Sequence, residues 1–264
     1  MVGAVEQETS DRRFRRLRIF NFVTGLVLLV EAVLMLLLSN DYSLPITTHY
    51  LSNGTRLSFP VPVAREVGRL RLGPMVAVFL FISAAALLLI AAPGIFDWYK
   101  RNLLKGANYG RWIEYSVSAS LMIVVIAMLA GMYDLSSLIL IFFLNAMMIL
   151  FGWMMELHNQ TTEKTDWTAF IFGCIAGIVP WVVIALYFVS AAADPVNKVP
   201  TFVYGIMISI FIFFNIFAVN MVLQYKKVGP WRDYLFGEKV YIILSLTAKS
   251  LLAWQVFAGT LRPK

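Results

Sequence analysis

Seven long apolar segments constrain this chain more than any other feature of its sequence. A segment of about 20 apolar residues is long enough to span a bilayer as a helix, and lipid requires its backbone groups to pair within the segment. The sequence therefore predicts an all-α membrane protein, a seven-transmembrane-helix bundle in a single domain covering residues 1–264. The predicted spans are Ile19–Leu38, Pro74–Ala92, Ala107–Ala130, Leu135–Met155, Ala169–Ser190, Phe202–Leu223 and Leu235–Ala258.

Composition excludes the soluble alternatives. Hydrophobic residues make up 60% of the chain and charged residues 14%, whereas soluble domains have about 45–50% and about 25%. Cys174 is the single cysteine, which excludes a disulfide-stapled scaffold. The +7 formal charge is not gathered on one soluble face, so we expect no nucleic-acid partner. No catalytic residue or metal-ligand cluster stands out either, and we expect no enzyme activity.

The distribution of lysine and arginine predicts the orientation. Of 22 such residues, 14 fall on the side of the N-terminus, seven on the opposite side, and the remaining one is Lys249. Because cytoplasmic loops carry an excess of positive charge, we expect a cell-membrane protein with a cytoplasmic N-terminus and an extracellular C-terminus. Residues 1–18 would then form a basic cytoplasmic N-terminus, and residues 39–73 a long extracellular loop.

This first extracellular loop contains a hairpin signal. The stretches His49–Ser52 and Thr55–Phe59 flank Asn53-Gly54, a dipeptide typical of the type I′ turn. We therefore expect a β-hairpin here. A two-stranded ribbon is marginally stable alone, so it should pack on the bundle or on a second copy of the chain.

Three charged residues lie inside the apolar segments away from their ends: Glu31, Glu114 and Lys249. Each costs about 2.5–3.5 kcal/mol at a helix centre, so each suggests a function. Lys249 lies near the middle of the last segment, too deep to extend its amine to either surface. It must pair with a carboxylate, lose its proton or be chemically modified.

Glu114 is the best-placed partner for Lys249. The third and seventh segments run in the same direction, and a lysine side chain leans toward the N-terminus of its helix, which is toward Glu114. One interpretation is a structural ion pair. A buried pair is a poor stabiliser, however, and a desolvated lysine is suited to forming an imine with an aldehyde. Tyr241 and Ser245, at four-residue steps before Lys249, add a thin polar stripe.

Several stretches of the sequence resemble the heliorhodopsins, seven-helix retinal proteins with inverted topology relative to other microbial rhodopsins. The resemblance runs over nearly the whole chain. It is densest in Arg111–Ser116, Asn145–Trp153, Phe172–Trp181, Phe202–Gly205, Leu244–Ser250 and Ala253–Gln255.

The resemblance implies a rhodopsin-like fold with all-trans retinal bound to Lys249 as a Schiff base and Glu114 as its counterion. It implies a light sensor with a slow photocycle, and a homodimer; a cytoplasmic signalling partner would receive the signal. It also implies retinal-pocket roles for nine residues, namely Tyr115, Ser118, Asn145, Met148, Gly152, Trp181, Phe214, Ser245 and Trp254.

Two positions agree with sensing rather than pumping. Ser245 occupies the place of a pump's second carboxylate, and Val125 the place of its proton donor. The chain also departs from the family, which often has histidines in the first and second helices where this sequence has Leu28 and Leu87.

Glu31 is the other departure, since many relatives have glutamine there. Because no cation is expected nearby, we predict a neutral Glu31 beside the Schiff-base cavity with Ser83 as a hydrogen-bond neighbour. The alternative is that Glu31 is a neutral hydrogen-bonding residue facing another helix. Glu31 also keeps open a second function, a light-gated proton channel or transporter that uses Glu31 and Glu114. A third is a purely structural or partner-binding membrane protein.

Gly173 and Gly177 form a small-xxx-small motif. Such a motif lets two helices approach closely, so it fits the homodimer that the resemblance implies. It fits equally well a contact with a neighbouring helix of the same chain.

Overall fold

The architecture is a bundle of long helices. A computed structural model describes residues 2–53, 60–193 and 199–261, with side chains from Asp11 onward. Seven of the described helices are long and apolar enough to span a membrane, and they confirm the seven predicted spans. The protein is therefore a multi-pass membrane protein. In chain order the helices are α1 (Val2–Leu38), α2 (Leu72–Ala91), the short α3 (Ile95–Leu104), α4 (Tyr109–Leu129), α5 (Leu135–His158), α6 (Thr168–Ala192), α7 (Thr201–Tyr225) and α8 (Tyr234–Val256).

The short helix α3 was not predicted. It buries Phe96, Tyr99 and Leu103, whose spacing of three and four residues is that of one helix face. With ten residues and several charges, α3 cannot span a bilayer, and its sequence resembles a connecting loop. It lies at the end of the bundle that also carries residues 11–18, and we call this end the basic end.

The opposite, hairpin end carries two antiparallel strands, β1 (Ser43–Asn53) and β2 (Pro60–Arg71). The predicted hairpin is confirmed, but its predicted register is wrong. Ser52 pairs with Val61, whereas a two-residue turn at Asn53-Gly54 would pair it with Thr55. The long ladder formed by β2 outweighs the local turn signal. Residues 54–59, which include the whole predicted second strand Thr55–Phe59, lie outside the described residues.

The hairpin packs on its own bundle. The Thr47 amide donates a hydrogen bond to the Tyr133 carbonyl oxygen at 2.8 Å, and Thr47 also forms an isolated parallel bridge with Asp134. The His49 imidazole Nδ1 lies 3.3 Å from Asp134 Oδ1. These contacts, beside a register irregularity between Ile46 and Thr47, tie β1 to the start of α5.

The buried interior differs between the two ends. Toward the hairpin end the core is built from apolar side chains, and no charged side chain of the described chain is buried there. Its most deeply buried members include Leu28, Met35, Val76, Leu80, Ile126, Met128, Leu252 and Val256. The buried charged side chains lie at mid-bundle or toward the basic end, and they are Arg111, Glu114, Glu156, Glu238 and Lys249.

Asp134 provides a test of the contacts at the start of α5. Its carboxylate caps α5 by accepting hydrogen bonds from the Ser137 amide and hydroxyl, both at 2.9 Å. These hydrogen bonds, with His49 nearby, hold the pKa of Asp134 below its usual value. Its stabilising effect is therefore present above the unfolded-state pKa and is lost as pH falls through the lowered folded-state pKa.

We expect Asp134→Ala to lower the free energy of unfolding at neutral pH by about 1 kcal/mol, the usual cost of losing an N-cap. Asp134→Asn is the matched control, because its amide oxygen can still cap the helix. Thermal unfolding in detergent micelles measures both. Equal melting temperatures for the alanine variant and the wild type would contradict this role.

Candidate functional site

The site is centred on Lys249 in α8. Its side chain is 3% exposed, and its Nζ donates hydrogen bonds to Glu114 Oε1 and to Ser245 Oγ, both at 2.8 Å. Ser245 is one turn earlier on the same helix, and Glu114 comes from α4. The structure therefore brings the predicted lysine and carboxylate into direct contact.

Helix α2 supplies a second partner for Glu114. The Ser83 hydroxyl donates to Glu114 Oε1 at 2.5 Å and lies 3.0 Å from the Phe79 carbonyl oxygen. The predicted hydrogen bond between Ser83 and Glu31 is therefore wrong, because Ser83 faces the third transmembrane helix rather than α1.

Glu31 lies on the other side of α8. It is half-buried and accepts hydrogen bonds from Ser250 Oγ at 2.8 Å and from Trp254 Nε1 at 3.3 Å. Ser250 follows Lys249 directly, but neighbouring helical residues point in directions about 100° apart, since a turn contains 3.6 residues. Glu31 thus contacts the face of α8 adjacent to the one that carries the Lys249 amine.

A cavity of about 400 Å³ opens beside the Lys249 amine. Aromatic rings form much of its wall: Trp181 makes edge-to-face contacts with Phe211 and Phe214, at centroid distances of 5.1 and 5.4 Å. Lys249 Nζ lies 4.8 Å from the centroid of the Tyr115 ring. The predicted pocket residues that line the cavity are Tyr115, Met148, Gly152, Trp181, Phe214, Ser245 and Lys249.

Three predicted pocket residues lie outside the cavity wall. Asn145 is turned toward α4, where its amide donates to Ser120 Oγ at 3.1 Å. Trp254 is turned toward α1 and donates to Glu31. Ser118 is fully buried, and its hydroxyl has no hydrogen-bond partner among the residues that the structure describes.

Other wall residues were missed by the sequence analysis. On α7 they follow helical spacing from the predicted Phe214, so that Phe211, Phe217 and Met221 share its face. This spacing could have identified them once the position of Phe214 was known. The same spacing applies on other helices: Trp112, Ala119 and Met122 share a face with the predicted Tyr115, Cys174 with Trp181, and Tyr241 with Ser245. Phe170 is a further wall residue, on α6.

Glycines allow bulky side chains to pack closely around the cavity. A Cβ atom on Gly152 would lie 2.6 Å from the Trp112 ring, and one on Gly177 would collide with the Met148 sulfur atom. Gly173 packs closely but less tightly, since its Cβ would be 3.2 Å from Phe151 Cβ and 3.3 Å from the Met148 carbonyl oxygen. The small-xxx-small pair Gly173 and Gly177 therefore serves the contact between α6 and α5 within the chain.

A second buried cluster lies between the cavity and the basic end. Arg111 is 4% exposed at its side chain and forms ion pairs with Glu156, 1% exposed, and Glu238, 0% exposed. Its guanidinium carbon lies 4.5 Å from the Trp112 ring centroid and 4.0 Å from that of Tyr241. The sequence analysis counted Arg111 only among the 14 lysines and arginines on the side of the N-terminus, and it did not predict that Arg111 is buried.

The two carboxylates of this cluster are held differently. Glu156 accepts hydrogen bonds from Arg111, the Asn108 amide at 2.9 Å, Trp112 Nε1 at 2.5 Å and the Tyr234 hydroxyl at 3.1 Å. Glu238 accepts from Arg111 and from Asn108 Nδ2 at 2.7 Å. Glu156 therefore accepts four hydrogen bonds and Glu238 accepts two.

Comparison with known families decides where this bundle belongs. The heliorhodopsin family model matches residues 17–261. The chain belongs to the heliorhodopsin family. This match includes every helix that contributes to the Lys249 site, so the resemblance seen in the sequence stretches extends over the full bundle.

A solved structure shows the same fold. It is the crystal structure of the transmembrane domain and linker region of Salpingoeca rosetta rhodopsin phosphodiesterase, with a TM-score of 0.64 and 15% sequence identity. The alignment covers 96% of this chain and 74% of that one. At this identity the likeness concerns the fold alone, and it supports the predicted rhodopsin-like bundle. Among curated proteins, none matches the chain at a significant level.

The Arg111 cluster predicts a large effect on stability. Arg111→Gln removes the cation from two buried carboxylates, and breaking a buried ion pair from one side costs about 3–5 kcal/mol. Arg13→Gln is the matched control, because Arg13 pairs with Asp233 at the surface, where the side chains are 44% and 46% exposed and such pairs contribute about 0–1 kcal/mol. Thermal unfolding in detergent should show a marked loss for Arg111→Gln only; similar small losses for both variants would contradict the prediction.

Proposed function

We propose that this heliorhodopsin is a light sensor that binds retinal as a protonated Schiff base on Lys249, with all-trans retinal in the dark. The observation that carries the proposal is the buried Lys249 amine at the wall of an aromatic-lined cavity, 2.8 Å from Glu114. Family membership supports retinal as the chromophore.

The residues present fit retinal. This ligand is a long apolar polyene with a single aldehyde, so it needs an apolar pocket with one reactive amine. The cavity of about 400 Å³ falls within the size range of small-molecule sites. Its lining is apolar and aromatic apart from a few polar groups, among which Lys249 and Ser245 lie together. When bound, retinal supplies light absorption and isomerisation; the chain supplies the amine, the counterion and the walls.

Glu114 is the proposed primary counterion. Its carboxylate contacts Lys249 Nζ directly and takes a second hydrogen bond from Ser83. A negative charge at this position favours the protonated nitrogen. Position 245, one turn before Lys249, carries serine rather than a second carboxylate.

A sensory output with a slow photocycle fits the interior better than pumping does. Val125, at the place of a pump's proton donor, is fully buried in the apolar core of the hairpin end. No charged side chain is fully buried at that end of the described bundle, and the half-buried Glu31 contacts Ser250 and Trp254 rather than the Lys249 amine.

A light-gated proton channel or transporter remains the alternative. Glu31 contacts α8 next to Lys249 through Ser250, and this contact is the observation that favours it. Recording of photocurrents from cells that express the protein separates the two functions, since a sensor passes no current under illumination.

The setting of the proposed sensor follows from the charge distribution and the family. We propose a cytoplasmic N-terminus, an extracellular hairpin, a belt of bilayer lipid around the exposed apolar side chains, and a signalling partner in the cytoplasm rather than an enzyme activity of the chain itself. A homodimer remains a prediction from the resemblance, because Gly173 and Gly177 are used inside the chain.

Replacing Lys249 tests the proposed chromophore attachment. We expect Lys249→Ala to give a folded protein without a visible absorption band, because the imine requires this amine. The matched control is Lys239→Ala, on the same helix but outside the cavity wall, which should keep the band. Absorption spectra of protein purified from retinal-fed cells measure both, and a full-intensity band in Lys249→Ala would refute the attachment site.

Replacing Glu114 tests the counterion. Glu114→Gln removes the negative charge beside the nitrogen, so the visible band should shift to the red, or the Schiff base should lose its proton near neutral pH and absorb in the blue. Spectra recorded across a pH titration show which occurs. Glu31→Gln is the control, since Glu31 contacts Ser250 and Trp254 rather than the Lys249 amine and its loss should leave the titration nearly unchanged. Unaltered spectra in Glu114→Gln would assign the counterion to another group.

A further inference from the structure

A second, smaller cavity lies between Glu114 and the Arg111 cluster. Its volume is about 30 Å³, and the polar side chains that line it are Asn21, Tyr99, Asn108, Arg111, Glu114, Tyr115, Glu238 and Ser245. A cavity of this size holds about one or two water molecules when polar groups are present to bind them. It therefore connects the surroundings of the Lys249 amine to the buried carboxylates at the basic end.

Asn21 is a buried amide at the wall of this cavity, where a water molecule would satisfy it. Its side chain is 1% exposed and lies beside Tyr99, yet neither amide atom has a hydrogen-bond partner among the described residues. An unsatisfied buried amide costs about 1–3 kcal/mol, and buried polar groups of this kind are normally satisfied by ordered water.

Glu238, unlike Glu156, lines the small cavity. It shares the Arg111 guanidinium with Glu156, so the ionised cluster holds two buried negative charges against one positive charge. Glu156 has four hydrogen-bond donors and Glu238 has two. A proton in the small cavity can therefore reach Glu238 directly but not Glu156, and Glu238 is held by fewer hydrogen bonds.

We propose that Glu238 accepts the proton that leaves Lys249 Nζ after illumination, an inference that rests on the proposed photoreceptor function. The N–H bond at Lys249 breaks with its electron pair left on nitrogen, and a proton is passed through the cavity to the Glu238 carboxylate, which becomes a carboxylic acid. One positive and one negative charge disappear together. The proton returns by the reverse path, so none is transported across the bilayer.

The route needs a relay. Glu238 and Ser245 are seven residues apart on α8, about 10 Å along the axis at 1.5 Å per residue, which is too far for direct transfer. Ser245 contacts Lys249 Nζ at 2.8 Å and also lines the small cavity, so it can pass a proton to water there. Among the described residues, no histidine lines the cavity. Leu87, at a position where the family often has histidine, is part of the lining.

Light-induced infrared difference spectra of the retinal-bound protein test the proposal. The wild type should show a protonated-carboxyl C=O band that rises as the visible band shifts to the blue. Glu238→Gln should abolish this band and slow the blue shift by roughly tenfold or more, the scale of a lost proton-transfer group. Glu31→Gln is the matched control, because Glu31 lies outside the small cavity and the Arg111 cluster, and it should keep both.

Two further measurements keep the test decisive. If Glu238→Gln does not assemble with retinal, Glu238→Asp retains a carboxyl group, and a shifted rather than vanished C=O band supports the proposal. In retinal-free protein, infrared difference spectra recorded during acidification should show a carboxyl band that is lost in Glu238→Gln and kept in Glu31→Gln.

The contradicting outcomes are distinct. An unchanged light-induced band in Glu238→Gln that disappears in Glu114→Gln would place the proton on the counterion and overturn the inference, while the visible pigment leaves the proposed function intact. A wild type that gains no visible band with retinal would refute the proposed function. The retinal-free titration would then still show whether Glu238 is the carboxylate that protonates, and loss of its band in Glu156→Gln alone would overturn that assignment.

Discussion

The buried contact between Lys249 and Glu114 is the interaction on which the rest of the site depends. A lone charge near the bilayer centre is unfavourable by several kcal/mol, so each group requires the other and neither can be moved by a turn without leaving its partner unpaired. The pair fixes the rotation of α8 against α4. Ser83 extends the constraint to α2, because its hydroxyl occupies the same Glu114 oxygen as the amine.

The interior of the bundle is polar on one side of this pair and apolar on the other. This difference determines which buried groups a change of charge at Lys249 can affect. From Glu114 toward the basic end, the bundle contains a small polar cavity and the Arg111 cluster. Toward the hairpin end it contains tightly packed aliphatic side chains. Charge movement at Lys249 can therefore reach buried groups on one side only. An interior of this kind suits a protein that converts light into a rearrangement at one membrane face.

The sequence predicted those features that depend on the residue types within a single segment. Spans follow from hydropathy, because lipid leaves few alternatives to a helix, and Lys249 and Glu114 stood out because a charge in mid-segment needs a reason. Arg111 and Glu238 escaped notice because they lie near segment ends, where charge normally faces water. Only the packing of α4, α5 and α8 shows that they are buried. The role of Gly177 depends likewise on which helix happens to face it, and the hairpin register depends on the full ladder rather than on one dipeptide.

The exchange of histidine for leucine changes what the remaining carboxylates must do. Leu28 is fully buried in the apolar core and Leu87 lines the small cavity, so neither position can hold a proton. Titratable groups then flank α8 on two faces at different depths. Glu114 and Glu238 share the polar cavity, while Glu31 contacts Ser250 and Trp254 outside it. Because Ser250 is bonded to Lys249 through the backbone, Glu31 can respond to a movement of α8 without exchanging a proton with the amine. The two faces thus separate proton transfer, on the Glu114 side, from mechanical coupling to α1, on the Glu31 side.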